Sequence, residues 1–105
     1  MERLTFELPS RRAPTARGRP VVVGVVASGN LEVLVEPAAL ADRCCVEVST
    51  SAHGFAEIWR AVLEDFAARR AVAGLAFALN DAGATPAVVS LRLDQAAEEY
   101  LEAGP

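Results

Sequence analysis

The chain has 105 residues, a length that supports one domain, and 52% of them are apolar, enough to bury a core without disulfides or a metal ion. No run of 18 apolar residues occurs, and the start lacks the basic and apolar regions of a secretory signal, so we expect a cytoplasmic protein without a membrane partner. The net charge is −4, with +3 on residues 1–20 and −7 on the remainder. Because the acidic remainder of the chain repels nucleic-acid phosphates, a nucleic-acid-binding function is excluded.

The first element is a short strand, because Leu4, Phe6 and Leu8 alternate with polar residues. Residues 9–19 follow without an apolar period and with several prolines and arginines, which is typical of a loop or flexible linker. This segment could contact phosphates, but a solvated tether is the favoured interpretation. We therefore divide the chain into residues 1–19, a strand plus an Arg/Pro-rich flexible segment, and a domain over residues 20–105.

A β-hairpin is predicted next. Residues 21–26 are mostly valine, and residues 31–35 alternate between apolar and polar, so both read as strands. Gly29-Asn30 suits a two-residue type II′ turn, because glycine tolerates the positive φ that this turn requires. The two strands are expected to pair around this turn, with Ser28 at the tip of the hairpin.

The rest of the chain adds strands and helices. Residues 43–50 alternate as a third strand of this sheet, and residues 75–79 as another. Thr85-Pro86 is a helix start, with an N-cap residue followed by proline at the first helical position. Two helical faces are predicted, one from Phe55, Ile58, Trp59, Val62, Leu63 and Phe66 and one from Val89, Leu93, Ala96, Ala97 and Tyr100. The order β-β-β-β-α-β-α predicts an α+β fold, a mostly antiparallel sheet of four to five strands with two helices on one face.

Candidates for catalysis or metal binding are few. His53, the only histidine, lies in a predicted turn, where a solvent-facing role is favoured over ligand binding. Cys44 and Cys45 are adjacent in a strand and point to opposite faces, so they do not form a chelating pair. Asn80-Asp81, at a strand end, is interpreted as a pair of loop-forming residues. Neither a phosphate-binding glycine motif nor a lysine occurs, and Trp59 is assigned to the core.

Ser28 leaves two interpretations open. Taken alone, a serine beside a turn is a residue that bonds its own backbone. A catalytic nucleophile requires a neighbouring base, and none is near Ser28 in the sequence, so an independent hydrolase is disfavoured. An exposed serine without an activating base is suited to accept a group from a modifying enzyme.

Residues 23–34 read VGVVASGNLEVL and resemble the acyl carrier, or delta, subunit family of malonate decarboxylase, which usually reads VGVVGSGDLEVL. The likeness covers nearly all of residues 20–102, through further blocks at residues 50–51, 54–55, 58–59, 81–86 and 91–93. The citrate lyase carrier subunit is similar. This chain departs from the pattern at Ala27, where glycine is usual, and at Asn30, where aspartate is usual. Both departures keep the turn feasible, while the lost carboxylate at residue 30 could weaken recognition by the attaching enzyme.

The resemblance implies a carrier that is not itself an enzyme. Ser28 would hold 2'-(5''-phosphoribosyl)-3'-dephospho-coenzyme A covalently, on a turn formed with Gly29 and Asn30, after transfer by a phosphoribosyl-dephospho-CoA transferase. The arm would carry acetyl and malonyl thioesters between an acyltransferase (alpha) subunit and the decarboxylase (beta, gamma) subunits, which raises their effective concentration at each active site. The alternatives left open are an unmodified interaction or regulatory domain and the carrier of a citrate-lyase-type complex.

Overall fold

The computed structural model describes residues 1–12, 21–23 and 31–103. The described chain forms five strands and two helices in the predicted order: β1 (Glu2–Pro9), β2 (Val21–Val23), β3 (Leu31–Pro37), β4 (Arg43–Thr50), α1 (Ala56–Arg69), β5 (Leu75–Asp81) and α2 (Pro86–Ala103). Pro37 is the last residue of β3, as expected for a residue without a backbone donor. Neither helix within these described ranges is long and apolar enough to cross a membrane.

The strands form one sheet in the order β1-β4-β5-β3-β2. The pairs β1–β4, β3–β5 and β2–β3 are antiparallel, whereas β4–β5 is parallel. The predicted α+β fold is confirmed, and the sheet is mixed because the chain returns from β4 to β5 through α1. A crossover of this kind places consecutive strands in parallel, whereas a short turn makes them antiparallel.

One face of the sheet carries the hydrophobic core. Alternate residues of the strands are buried against the two helices: Phe6, Leu8, Leu31, Val33, Val35, Cys44, Val46, Val48, Leu75, Phe77 and Leu79. The residues between them lie on the other face of the sheet and are partly buried or, like Glu47 and Asn80, exposed. The period-two pattern in the sequence therefore identified which side of β1, β3, β4 and β5 is buried.

Both helices use the faces that their spacing predicts, with one difference. α2 buries Val89, Leu93, Ala96, Ala97 and Tyr100, and the backbone N–H of Val88 donates to Oγ1 of the N-cap residue Thr85 at 3.3 Å. α1 buries Trp59, Leu63 and Phe66. Phe55 and Ile58, expected on the same face of α1, are 46% and 48% exposed. Phe55 is the N-cap residue of α1 and Ile58 lies in its first turn.

The N-terminal segment is more tightly held than its composition predicts. β1 pairs with β4 along its whole length, so it belongs to the same sheet as the rest of the chain. Ser10 and Arg11, the first residues of the predicted linker after β1, are also anchored: Oγ of Ser10 lies 2.8 Å from the carbonyl oxygens of Ala67 and Arg70, and the carbonyl of Arg11 accepts from the N–H of Ala73. The predicted division between residues 19 and 20 lies outside the described residues.

Candidate functional site

The predicted attachment residues Ser28, Gly29 and Asn30 lie outside the described residues, so their placement at a hairpin tip stays a prediction. The strands that flank them are described. β2 and β3 pair in antiparallel fashion, as expected, with Val23 opposite Val33. Residue 28 is therefore midway in sequence between two paired positions.

The register of this pair differs from the one that the predicted turn implies. An unbroken ladder that closes with the two-residue turn Gly29-Asn30 would place Val23 opposite Glu36. Val23 lies opposite Val33 instead, three residues away.

The chain enters β3 at a well-defined end of the sheet. Leu31, the first residue of β3, pairs with Asp81, the last residue of β5. Thr50, the last residue of β4, pairs with Asp81 from the other side. The segment that contains Ser28 thus joins the sheet where β4 and β5 both end and where the connections to α1 and α2 begin.

A buried carboxylate organises this end of the sheet. Asp81 is 6% exposed, and its Oδ2 accepts a hydrogen bond of 2.7 Å from the hydroxyl of Thr50. Its Oδ1 accepts from the N–H of Ala84 at 2.8 Å. Oγ1 of Thr50 in turn accepts from the N–H of Ala52 at 3.1 Å. One side chain therefore links the connection after β4 to the connection after β5.

The role of Asp81 was only half visible in the sequence. The interpretation of Asp81 as a loop-forming residue agrees with the hydrogen bond that it accepts from Ala84, three residues later. Aspartate makes local bonds of this kind in turns. The bond to Thr50 joins residues 31 positions apart, and no sequence pattern indicates it. Gly83, which lies between Asp81 and Ala84, has a φ of +101°, a conformation that favours glycine.

A pocket of about 240 Å³ lies beside Asp81. Its walls come from the start of α1, the start of α2 and the two connections that Asp81 links, and they are largely apolar: Ala52, Phe55, Ile58, Trp59, Val62, Gly83, Ala84, Pro86 and Val89. Trp59 is thus both a core residue, as predicted, and a wall of the pocket.

The other sequence candidates are not drawn together. His53 is exposed, in agreement with its interpretation as a turn residue. Cys44 is buried and Cys45 lies on the other face of the sheet, and both thiols are free. Burial raises the pKa of Cys44 to about 11. Burial, followed by the charges of Glu7 and Glu47, raises the pKa of Cys45. Within residues 1–12 and 31–103, no group of three or more His, Cys, Asp or Glu side chains could hold a metal ion.

The family model described as malonate decarboxylase delta subunit (MdcD) matches residues 18–100. The chain belongs to this family. The resemblance seen in residues 23–34 is thereby confirmed, and the match includes position 28, the whole of α1 and α2 as far as residue 100.

Individual relatives agree with the family model. The malonate decarboxylase acyl carrier protein of Burkholderia cepacia is 59% identical over 99 residues, which cover 94% of this chain and 90% of the relative. The protein of the same name from Stenotrophomonas maltophilia (strain K279a) is 50% identical over 105 residues, covering 100% of this chain and 99% of the relative.

A solved structure supports the fold of this family member. A chain in the crystal structure of a Pseudomonas malonate decarboxylase hetero-tetramer in complex with malonate superimposes with a TM-score of 0.83 at 40% sequence identity. The superposition covers 95% of this chain and 99% of that chain. The mixed sheet with two helices is therefore shared with a subunit of that complex.

Proposed function

We propose that this protein is the acyl carrier subunit of a malonate decarboxylase complex and that Ser28 is where its prosthetic arm is attached. The observation that carries the proposal is the match of residues 18–100 to the delta subunit family, together with relatives named acyl carrier proteins at 50–59% identity over nearly the whole chain. The citrate-lyase-type alternative has no such support from these relatives.

The residues around position 28 fit a covalent attachment. A serine hydroxyl is the group that a phosphodiester bond to 2'-(5''-phosphoribosyl)-3'-dephospho-coenzyme A requires, and Ser28 has small neighbours, Ala27 and Gly29. The strands on either side of this segment, β2 and β3, are paired with each other. Asp81 pairs with Leu31 on the neighbouring strand and already accepts two hydrogen bonds, so it suits a structural role.

The chemistry is divided between the arm and the partners. The thiol end of the arm supplies the thioester on which acetyl and malonyl groups are carried. The protein positions that thioester, since tethering raises its effective concentration at successive active sites. We assign the catalysis to acyltransferase (alpha) and decarboxylase (beta, gamma) subunits and the attachment to a phosphoribosyl-dephospho-CoA transferase. A hetero-tetrameric relative supports assembly with other subunits.

We assign the protein to the cytoplasm. Cys44 and Cys45 are free thiols, which suits a reducing compartment. The acidic body, with a net charge of −7 outside the first 20 residues, is suited to faster encounter with basic partner surfaces.

The test is intact-mass measurement of the protein purified from its own host. We expect a mass above the sequence mass for the wild type and the sequence-derived mass for Ser28→Ala. Ser51→Ala, an exposed serine in the connection after β4, is the control and should keep the adduct. A wild-type protein at its sequence mass, in cells with active malonate decarboxylase, would contradict the proposal. So would full complementation of a carrier-deleted strain by Ser28→Ala, which would favour an unmodified interaction domain.

A further inference from the structure

The pocket beside Asp81 has an apolar mouth that faces solvent. Phe55 and Ile58, at the start of α1, are about half exposed, although most large apolar side chains of the described residues are buried. Trp59 and Val89 form deeper walls and are 6% and 3% exposed. An accessible apolar cavity of this kind gains free energy from an apolar occupant, because the occupant displaces water from apolar surface.

The pocket lies at the end of the sheet from which the arm would extend. Asp81 contributes to the pocket lining and pairs directly with Leu31, the residue that follows the segment 24–30. Paired residues on antiparallel strands have Cα atoms only about 4.5–5.5 Å apart. A group attached at residue 28 therefore starts three residues from a position adjacent to the pocket lining.

We propose that this pocket receives the acetyl thioester end of the arm carried by Ser28 between reaction cycles, an inference that rests on the function proposed above. The volume of about 240 Å³ is below the roughly 300–1,000 Å³ typical of pockets for drug-sized ligands, which suits a small acyl group with the adjoining part of the arm. Enclosure there shields the thioester from water.

The same pocket disfavours the malonyl form. Asp81 accepts hydrogen bonds at both oxygens of its carboxylate. A malonyl group brings a second carboxylate, and two like charges held close together between largely apolar walls repel each other. The acetyl form is thus sheltered, while the malonyl form stays outside and available to a partner subunit.

Trp59 provides a direct readout, because it is the only tryptophan of the chain and lines the pocket. The full-length carrier is prepared with its arm as the free thiol, the acetyl thioester and the malonyl thioester, and loading is checked by intact mass. We expect the Trp59 emission of the acetyl form to differ from that of the other two forms. Identical emission in all three would overturn the inference.

Cleavage of the thioesters by hydroxylamine gives a second readout. The reference compounds are S-acetyl- and S-malonyl-N-acetylcysteamine. The acetyl carrier should react about threefold or more slowly than its reference, as expected when the acetyl methyl group is buried. The malonyl carrier should react at the same rate as its reference. Ile58→Glu, at the mouth of the pocket, should abolish the protection. Leu91→Glu is the matched control, since Leu91 is 56% exposed on α2 and does not line the pocket, and it should keep the protection.

The outcomes separate the two proposals. Absence of any adduct on Ser28 would contradict the proposed function. An intact adduct with unprotected acetyl thioester and unchanged Trp59 emission would overturn only the pocket assignment. In that case, loss of binding to the partner subunits in Ile58→Glu but not in Leu91→Glu would assign the pocket to a partner's apolar side chain instead.

Discussion

The hydroxyl of Thr50 donates to Oδ2 of Asp81 across 2.7 Å, and both side chains are buried at the end of the sheet from which α1 and α2 are reached. β4 and β5 run in parallel, so their last residues lie side by side. This bond therefore holds together the two connections that form the pocket.

Replacement of Thr50 by valine should destabilise the protein by about 1–3 kcal/mol. Valine keeps the shape of threonine but leaves the buried Asp81 without one of its donors, and an unsatisfied buried acceptor carries a desolvation cost of that size. Urea unfolding at pH 7 measures the change. Ser49→Ala, on the outer face of the same strand, is the control and should stay within about 0.5 kcal/mol of the wild type. An equal effect of the two substitutions would contradict this role.

Cys44 should make the fold less stable in alkali. Burial raises its pKa from 9.0 to about 11, so the folded state keeps the thiol proton at pH values where the unfolded state has lost it. The stabilisation is complete below pH 9 and is lost as the pH rises towards 11, with a slope of at most about 1.4 kcal/mol per pH unit. Urea unfolding at several pH values between 8 and 11 measures this slope.

The control for this pH dependence is the neighbouring thiol. Cys44→Ala should flatten the stability profile between pH 9 and 11, whereas Cys45→Ala should retain most of its slope, because Cys45 is only partly buried. Labelling with a thiol reagent at pH 8 should modify Cys45 first, with Cys44 reacting on unfolding. Faster labelling of Cys44 would show that its burial is not as described.

Ser10 should contribute more to stability than its place in an Arg/Pro-rich segment suggests. Its Oγ accepts from the N–H of the buried Val72 at 3.1 Å and lies 2.8 Å from two carbonyl oxygens at the end of α1. Ser10→Ala leaves these groups unsatisfied and should cost about 1–3 kcal/mol. Hydrogen exchange at Val72 should also become faster, whereas Ser51→Ala should leave that exchange rate unchanged.

Asp94 should link the two helices weakly and in a salt-dependent manner. It lies 3.3 Å from a guanidinium nitrogen of Arg69 and 3.2 Å from Nε of Arg70, with 26% of its side chain exposed. Asp94→Asn should lower stability by about 0.5–1 kcal/mol at low salt, and 1 M NaCl should remove most of the difference. Asp65→Asn, which loses only a pair within α1, should have a smaller effect. A salt-independent loss in Asp94→Asn would mean that the charges are not its cause.

The sequence by itself determined the order of the elements, the core faces of most of them and the family. Apolar residues every second or every 3.6 positions specify strands and helices locally, which is why residues 43–50, the start of α2 at Thr85-Pro86 and the core face of α2 agree with the structure. The family can be recognised from the contiguous motif at residues 23–34, without knowledge of the folded structure. The position of Ser28 at the tip of a hairpin stays a prediction.

Only the tertiary structure decided the strand order, the parallel pairing of β4 with β5, the anchoring of Ser10 and the bond between Thr50 and Asp81. The parallel pairing, the anchoring of Ser10 and the bond between Thr50 and Asp81 each join residues at least 31 positions apart in sequence. Local periodicity reports which side of an element is apolar, but not which element covers it. That choice depends on how all buried faces pack together at once, because the free energy of burial is gained only when the whole core closes.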